Sequence, residues 1–512
     1  MSDAPSDPGQ ALAAPARLTW LPVAAQVALV TVLGAWLGCG LPVGIPGQWA
    51  WEVHAKPLPT AGLLRALVVG AGIIGLGALG LYRLRHRRRG MAWLLAGLVA
   101  LVFAFQLSVA SLAPQAGFYL VAGTGSSVAT EYFSTAQTVR DPWAYCLSYA
   151  ETQRSGHHVA THPPGAVLAY WICLRLYESP LLPHGVFGAL AEQTIGAPPD
   201  QVAVAANSYP GTRMTAADVG PALFCCIVFG LCSALTVLPL YWLARQASTR
   251  STALVVCCLF GLTPSPVLFF QGLDAPVMLL SVSALACAFA AVTRGRLAWG
   301  ALCGLGLGLL SAVTFGATAA LAATAALGVA LLLRRPPGER LRAWAAVGAG
   351  AGVWLTLIVA LHVACRGQLP AIFAQAMSAH RELTWEGMGR GYGTWVWRNL
   401  VEFGVFLGLP GLVVLAGAAL GLARRRARNL TRVELVGLIG LGLLLLLNAT
   451  GSVRGEVARV WLFLMPPLIL WAGCRTRRAL RKAPALAAAT MALSLVQALV
   501  MGWTLTPVVL PY

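Results

Sequence analysis

Apolar residues run in long unbroken blocks along this chain, separated by short polar or arginine-rich breaks. A helix that crosses a bilayer needs about 20 mostly apolar residues. On that measure, helices are predicted near 18–38, 60–82, 91–111, 217–244, 252–270, 276–293, 298–313, 315–333, 343–364, 400–423, 434–449, 458–474 and 483–505. The blocks are continuous, not alternating, which argues against the short two-faced strands of a β-barrel. The chain therefore reads as an all-α polytopic membrane protein with about 13 transmembrane helices. Splitting 298–333 into two rests on length and on the polar "SAVTFG" in its middle.

One stretch breaks the rhythm. Residues 112–216 form a long loop without a spanning block, and loops of that length are usually functional. Inside it, "PPGAVLAYWICLRLYE" (163–178) is apolar but too short to span. It is predicted to be an interfacial helix, with Pro163 and Pro164 suiting its first turn and holding His162 extended. The resulting divisions are a disordered cytoplasmic tail at 1–17, N-terminal transmembrane helices to 111, and the large external loop 112–216. A transmembrane core at 217–364, a second external loop at 365–399 and C-terminal helices at 400–512 follow. The tail has no basic segment leading into a short apolar core, so it does not read as a signal peptide.

Composition agrees: 58% of residues are hydrophobic and only 10% charged. The net charge of +19 changes the picture only through its placement. Arginines cluster at the ends of apolar blocks, as in "RLRHRRR" (83–89), "RGR" (294–296), "RRPPGERLR" (334–342), "RRRAR" (424–428) and "RTRRALRK" (475–482). That is the positive-inside pattern, not a nucleic-acid surface. With thirteen crossings every cluster falls inside, whereas thirteen of the seventeen acids fall outside or at the outer rim. Taking 163–178 as a span would reverse the later loops and break this agreement. The cysteines sit mostly in apolar blocks without C-x-x-C spacing, so they read as small hydrophobes. Scarce lysine beside abundant arginine, alanine and glycine is the usage of a GC-rich bacterial genome, which makes the outside a periplasm and the membrane the inner one.

Four external stretches carry candidate chemistry. Residues 128–165 hold Glu131, Asp141, Glu151, His157, His158 and His162, groups able to act as bases or to hold a divalent metal. They lack the spacing of a zinc protease. Asp274 stands in "LDAPVMLL" at an outer helix turn, where an ionisable group beside a membrane is a functional candidate; an Asx-type turn before Pro276 is the plainer explanation. Arg454, Glu456 and Arg459 lie in "GSVRGEVARV", and arginine forks suit phosphate oxygens; a local ion pair is the alternative. Residues 378–400 mix His380, Arg381, Glu382, Glu386 and Arg390 with Trp385, Trp395 and Trp397, which suits either sugar stacking or an interfacial aromatic belt.

In this order and sidedness, the motifs resemble the GT-C superfamily of integral-membrane glycosyltransferases, close in pattern to protein O-mannosyltransferases and lipid A aminoarabinose transferases. The resemblance runs over roughly 120–335. It rests on the acid-bearing first loop, the His162-Pro163-Pro164 entry to a juxtamembrane helix, "LPLYWLARQAST" (238–249), "LDAPVMLL" and the Gly-rich "GLGLGLLSAVTFG" (304–316). The helices before 90 have no clear counterpart in that pattern. The family's first loop carries an Asp-Glu pair, and Thr130 stands in place of its first member here. The resemblance implies transfer of a sugar from a polyprenyl-phosphate donor to a saccharide, lipid or protein acceptor of the cell envelope, by inverting direct displacement. It implies Glu131 or Asp141 as base, with Asp274 positioning acceptor or metal. It implies Arg454, Arg459 and secondarily His162 at the donor phosphate, and His158, Glu456, Arg381 and Trp385 at the substrates. A transporter or flippase of a lipid-linked saccharide is the rival, and predicts broken helices and charges deep within them. The sequence shows few such charges, His362 near a helix end being the nearest.

Overall fold

The predicted apolar blocks fold as helix. The computed structural model describes residues 17–505 apart from 54–56, 58, 87–89, 114–115, 127–129, 153–157, 181–196, 209–211, 425–429 and 483. The expected tail and His157 fall outside the described residues, save for Arg17, which opens the first helix. Among the described residues eight helices are long and apolar enough to cross a membrane: Leu21–Gly38, Thr60–Leu84, Met91–Ala110, Ala216–Ala247, Asp274–Arg294, Pro337–Ala364, Arg432–Thr450 and Ala485–Thr504. The chain is thus a helical, multi-pass membrane protein. The remaining blocks form shorter or broken helices, on which a count of thirteen crossings depends. The division at "SAVTFG" is observed, with helices Leu297–Val313 and Ala317–Leu333 on either side of it.

The single helix expected over 400–423 is two. Helices Tyr392–Leu407 and Leu409–Arg424 meet at 109°. Gly408, at φ +96°, is the corner. The Gln497 side chain bridges the break: its Oε1 accepts from the Leu409 N–H at 2.8 Å and its Nε2 donates to the Val405 carbonyl at 2.7 Å. Such partners are needed where apolar surroundings offer no water to freed backbone groups. Both arms are apolar, so the hydropathy pattern could not register the bend. The blocks at 252–270 and 458–474 are also interrupted. The first stops at Gly261 and continues as a single turn, Pro264–Leu268. The second begins as Val457–Val460, passes through Leu462–Leu464 and runs on as Met465–Lys482. These interruptions adjoin one another: the Ser265 hydroxyl donates to the Ala458 carbonyl, and a Cβ at Gly408 would come within 3.3 Å of Pro264.

A small hairpin, absent from the all-α expectation, links the first two helices. Val43–Ile45 pairs antiparallel with Trp49–Trp51. Both of its tryptophans are buried in the main apolar core.

The first long loop is folded, not extended. It forms helices Ala116–Gly125, Tyr132–Thr138, Pro142–Thr152, Gly165–Tyr177 and Pro199–Ala206. Phe133, Val167, Tyr170 and Ala203 bury one another and pack on Val219 of the helix that follows. The predicted helix at 163–178 is present as Gly165–Tyr177. Its glycine has a steric reason: a Cβ there would overlap the Ala312 carbonyl, so the loop helix is seated on the end of Leu297–Val313. The second loop is helical as well, as Leu369–Arg381 and a π turn at Glu382–Glu386.

Candidate active site

Two acids, one of them from a distant part of the chain, meet one arginine. Arg459, in the short turn Val457–Val460, donates through Nη2 to Glu456 Oε2 at 2.9 Å. Its Nε lies 3.5 Å from Asp274 Oδ2, at the start of helix Asp274–Arg294. The other Glu456 oxygen is met by Arg390 Nη2 at 3.5 Å. Arg390 is 1% exposed and Glu456 14%. Burial by itself would raise the Glu456 carboxyl, but Arg459 and Arg390 beside it hold it below the ordinary carboxylate range. Burial would likewise lower the Arg459 guanidinium, but Asp274 and Glu456 hold it above its ordinary value.

The first loop supplies the facing wall. The Tyr132 hydroxyl lies within electrostatic reach of Arg459, Asp274 and Glu131, which places those charges around it. It meets His162 Nδ1 at 2.9 Å, and the Thr161 hydroxyl meets the same nitrogen at 2.8 Å. The Tyr149 hydroxyl fixes this corner by donating to the carbonyls of His162 and Val159 at 2.6 and 2.9 Å. Burial pushes Tyr132 up, so its hydroxyl keeps its proton. Burial, aided by His158, His380 and Arg459, pushes His162 down to about 3, so its ring is neutral near pH 7. His158 is lowered for the same first reason, and Glu456, Arg459, His380 and Arg390 lie within its electrostatic reach. This wall offers neutral hydrogen-bonding groups beside the charged cluster.

Two of the acids share a strained backbone. Among the described residues, only Glu131, Arg366 and Glu456 are non-glycine residues at positive φ. Glu131 and Glu456 both have φ 60° and each immediately precedes a short helix. Such a conformation costs on the order of 1 kcal/mol or more and clusters at functional sites.

Of the residues singled out in sequence, Glu131, His158, His162, Asp274, Glu456 and Arg459 come together. Arg454 is a neighbour in a different role. Its guanidinium lies 4.2 Å from the Trp385 ring centre, and it donates to the Gly451 and Arg390 carbonyls at 3.1 and 2.6 Å. Arg381 lies 5.4 Å from the same ring, so Trp385 holds two guanidiniums. Asp141, expected as an alternative base, is not brought to the cluster. It is exposed, its Oδ1 accepts from the Trp143 N–H at 2.8 Å, and it serves the start of helix Pro142–Thr152. Among the described residues no group of three or more His, Cys, Asp or Glu side chains is arranged to hold a metal ion.

Sequence reasoning missed several members. Tyr132 adjoins Glu131 and carried no signal beyond that. Arg390 was one arginine among several in a mixed stretch. Glu402 is one of the few deep helical charges and was not singled out: it is 2% exposed in the middle of Tyr392–Leu407. A carboxylate in an apolar block was a legible signal; placing the helix start at 400 hid it by leaving Glu402 at the rim.

No protein-family model matches the chain, and no curated protein does. Among solved structures, similarity is found to the crystal structure of the Archaeoglobus fulgidus oligosaccharyltransferase in complex with Zn and sulfate. The TM-score is 0.40 at 13% identity, over 70% of this chain and 49% of that one. The archaeal oligosaccharyltransferase AglB from Archaeoglobus fulgidus, in complex with an inhibitory peptide and a dolichol-phosphate, is similar with a TM-score of 0.34 at 12% identity, over 70% and 52% of the two chains. The chain spans about half the length of each. Both TM-scores lie below 0.5, too low for the likeness to bear on function.

Proposed function

We propose that this protein is a membrane glycosyltransferase of the GT-C kind, moving a sugar from a polyprenyl-phosphate donor to a cell-envelope acceptor on the periplasmic face of a bacterial inner membrane. The observation that carries this reading is the meeting of Asp274 and Glu456 at Arg459, facing the loop corner where Tyr132, next in sequence to Glu131, meets His162. Glu131 takes the proton of the acceptor hydroxyl. The freed oxygen attacks the anomeric carbon from the side opposite the phosphate, the bond to phosphate breaks, and polyprenyl phosphate leaves with configuration inverted. Arg459 is the nearest cation for the negative charge that develops on the leaving oxygen. To meet it, Arg459 shifts part of its contact from Asp274, whose separation of 3.5 Å is the looser of its two acid contacts. Arg454 and Arg381, flanking Trp385, fit the phosphate or the sugar of the donor headgroup at the rim.

The test is a transfer assay with purified protein in lipid, radiolabelled polyprenyl-phosphate sugars and a crude envelope acceptor fraction. Wild type should move label, and Glu131→Gln and Asp274→Asn should not, with expression intact in both. Unchanged transfer in both variants would sink the assignment. One observation favours a second reading, a flippase for a lipid-linked saccharide: the 109° helix break at Gly408 beside buried Glu402 is the kind of discontinuity such proteins use. In vesicles, label crossing the membrane without transfer would select it.

A further inference from the structure

The helices before residue 111 contribute none of the residues proposed for transfer, yet the hairpin between the first two reaches the site. Trp51 Nε1 donates to Glu402 Oε1 at 3.0 Å, and the same oxygen accepts from the Ala458 N–H at 3.1 Å. The Trp49 indole lies against Gly455, where a Cβ would come within 2.8 Å of the ring and where φ is +84°. The same indole lies 5.2 Å from the Arg390 guanidinium, which reaches Glu456. The hairpin turn is itself tied down, with Trp395 Nε1 donating to Gln48 Oε1 at 2.9 Å. Gly455, Glu456 and Ala458 are therefore each held by the hairpin or by a residue it touches, and Arg459 is the next in the chain. A left-handed Glu456 persists only where its surroundings hold it.

We propose that the Val43–Trp51 hairpin is a positioning device: Trp49 and Trp51 fasten the Gly455–Glu456 turn so that Arg459 stays between Glu456 and Asp274. The proposal rests on the glycosyltransferase reading only for what Arg459 does during turnover. The fastening itself is a matter of packing and hydrogen bonding. Its logic is that a guanidinium serves a developing charge only if it is already in place, and a short turn of four residues cannot place it unaided.

The experiment measures amide hydrogen exchange and sugar transfer on the full chain in lipid. Trp51→Phe keeps the ring and removes the N–H. Exchange at 455–459 is expected to rise roughly tenfold, the factor for losing one hydrogen bond to a carboxylate, with exchange across Gly165–Tyr177 unchanged. Glu402→Leu should raise exchange at the same amides, and Glu402→Gln, which keeps an accepting oxygen, should restore protection even if Trp51→Phe folds poorly. Turnover of Trp51→Phe should fall about tenfold with the donor KM unchanged, and combined with Arg459→Lys the extra loss should shrink below about twofold, since both changes act through one guanidinium. Unchanged exchange at 455–459, or a Trp51→Phe loss that multiplies in full on Arg459→Lys, overturns the proposal. A wild type that transfers no sugar overturns the glycosyltransferase reading instead, and the exchange pattern then decides the fastening by itself.

Discussion

Glu131 and Glu456 share a backbone conformation and differ in what surrounds them. Both precede a short helix at φ 60°. Glu456 lies between Arg459 and Arg390, whose charges keep it ionised. Glu131 belongs to the loop wall, next in sequence to Tyr132, whose hydroxyl meets His162 Nδ1. A carboxylate clamped by two arginines is a poor proton acceptor, because a bound proton would forfeit both attractions. In the proposed mechanism the two walls divide the labour: the loop handles the proton and the turn around Glu456 and Arg459 holds the charge.

Breaking each wall in turn sharpens that division. The largest effect is expected from Glu131→Gln, a loss of about 10²–10⁴ in transfer rate with donor KM unchanged; a steady-state loss below tenfold would move the base to Asp274. Glu456→Gln should act first on stability. It leaves Arg390, 1% exposed, and Arg459, 26% exposed, without their shared partner. A cost of about 3 kcal/mol is expected, read as a lower denaturation midpoint. An unshifted midpoint would mean the arginines find other acceptors.

A smaller effect follows from His162. Its folded value of about 3 lies below the ordinary histidine value of about 6.5. As pH falls, the unfolded chain takes up this proton first, so the stability from burying the neutral ring is full above about pH 6.5 and declines toward pH 3. Thermal melting of wild type should therefore drop between pH 7 and 4.5 by more than that of His162→Asn, and parallel curves would place His162 in a wetter setting. The smallest effect is expected from Asp141→Ala. Losing a helix-start contact costs about 1 kcal/mol, with transfer held within about twofold. A large loss of transfer would bring Asp141 back to the site.

The apolar blocks made most helices legible, and "HPPG" marked the start of the loop helix; that Gly165 is required by the Ala312 carbonyl only the tertiary structure showed. The site was legible in part. Glu131, Asp274 and Arg459 stand out as charges in external stretches of an otherwise apolar chain. Arg454 stood out equally and stacks on Trp385 rather than on the Asp274–Glu456–Arg459 cluster. The hairpin tryptophans were invisible: two short strands of three residues leave no periodicity to read.

The sequence by itself determined most of the long apolar helices and that the protein lives in a membrane. Those properties depend on the length and apolarity of local runs, which every residue in a run contributes to independently. Only the tertiary structure decided that Asp274, Glu456 and Arg459 meet, that Asp141 does not join them, and that the helix at Gly408 turns a corner. Each of these depends on contacts between residues far apart in sequence: Arg459 with Asp274, Gln497 with Leu409, Trp51 with Glu402. Such contacts form only when the helices pack, and no local pattern encodes which partner a buried polar group will find.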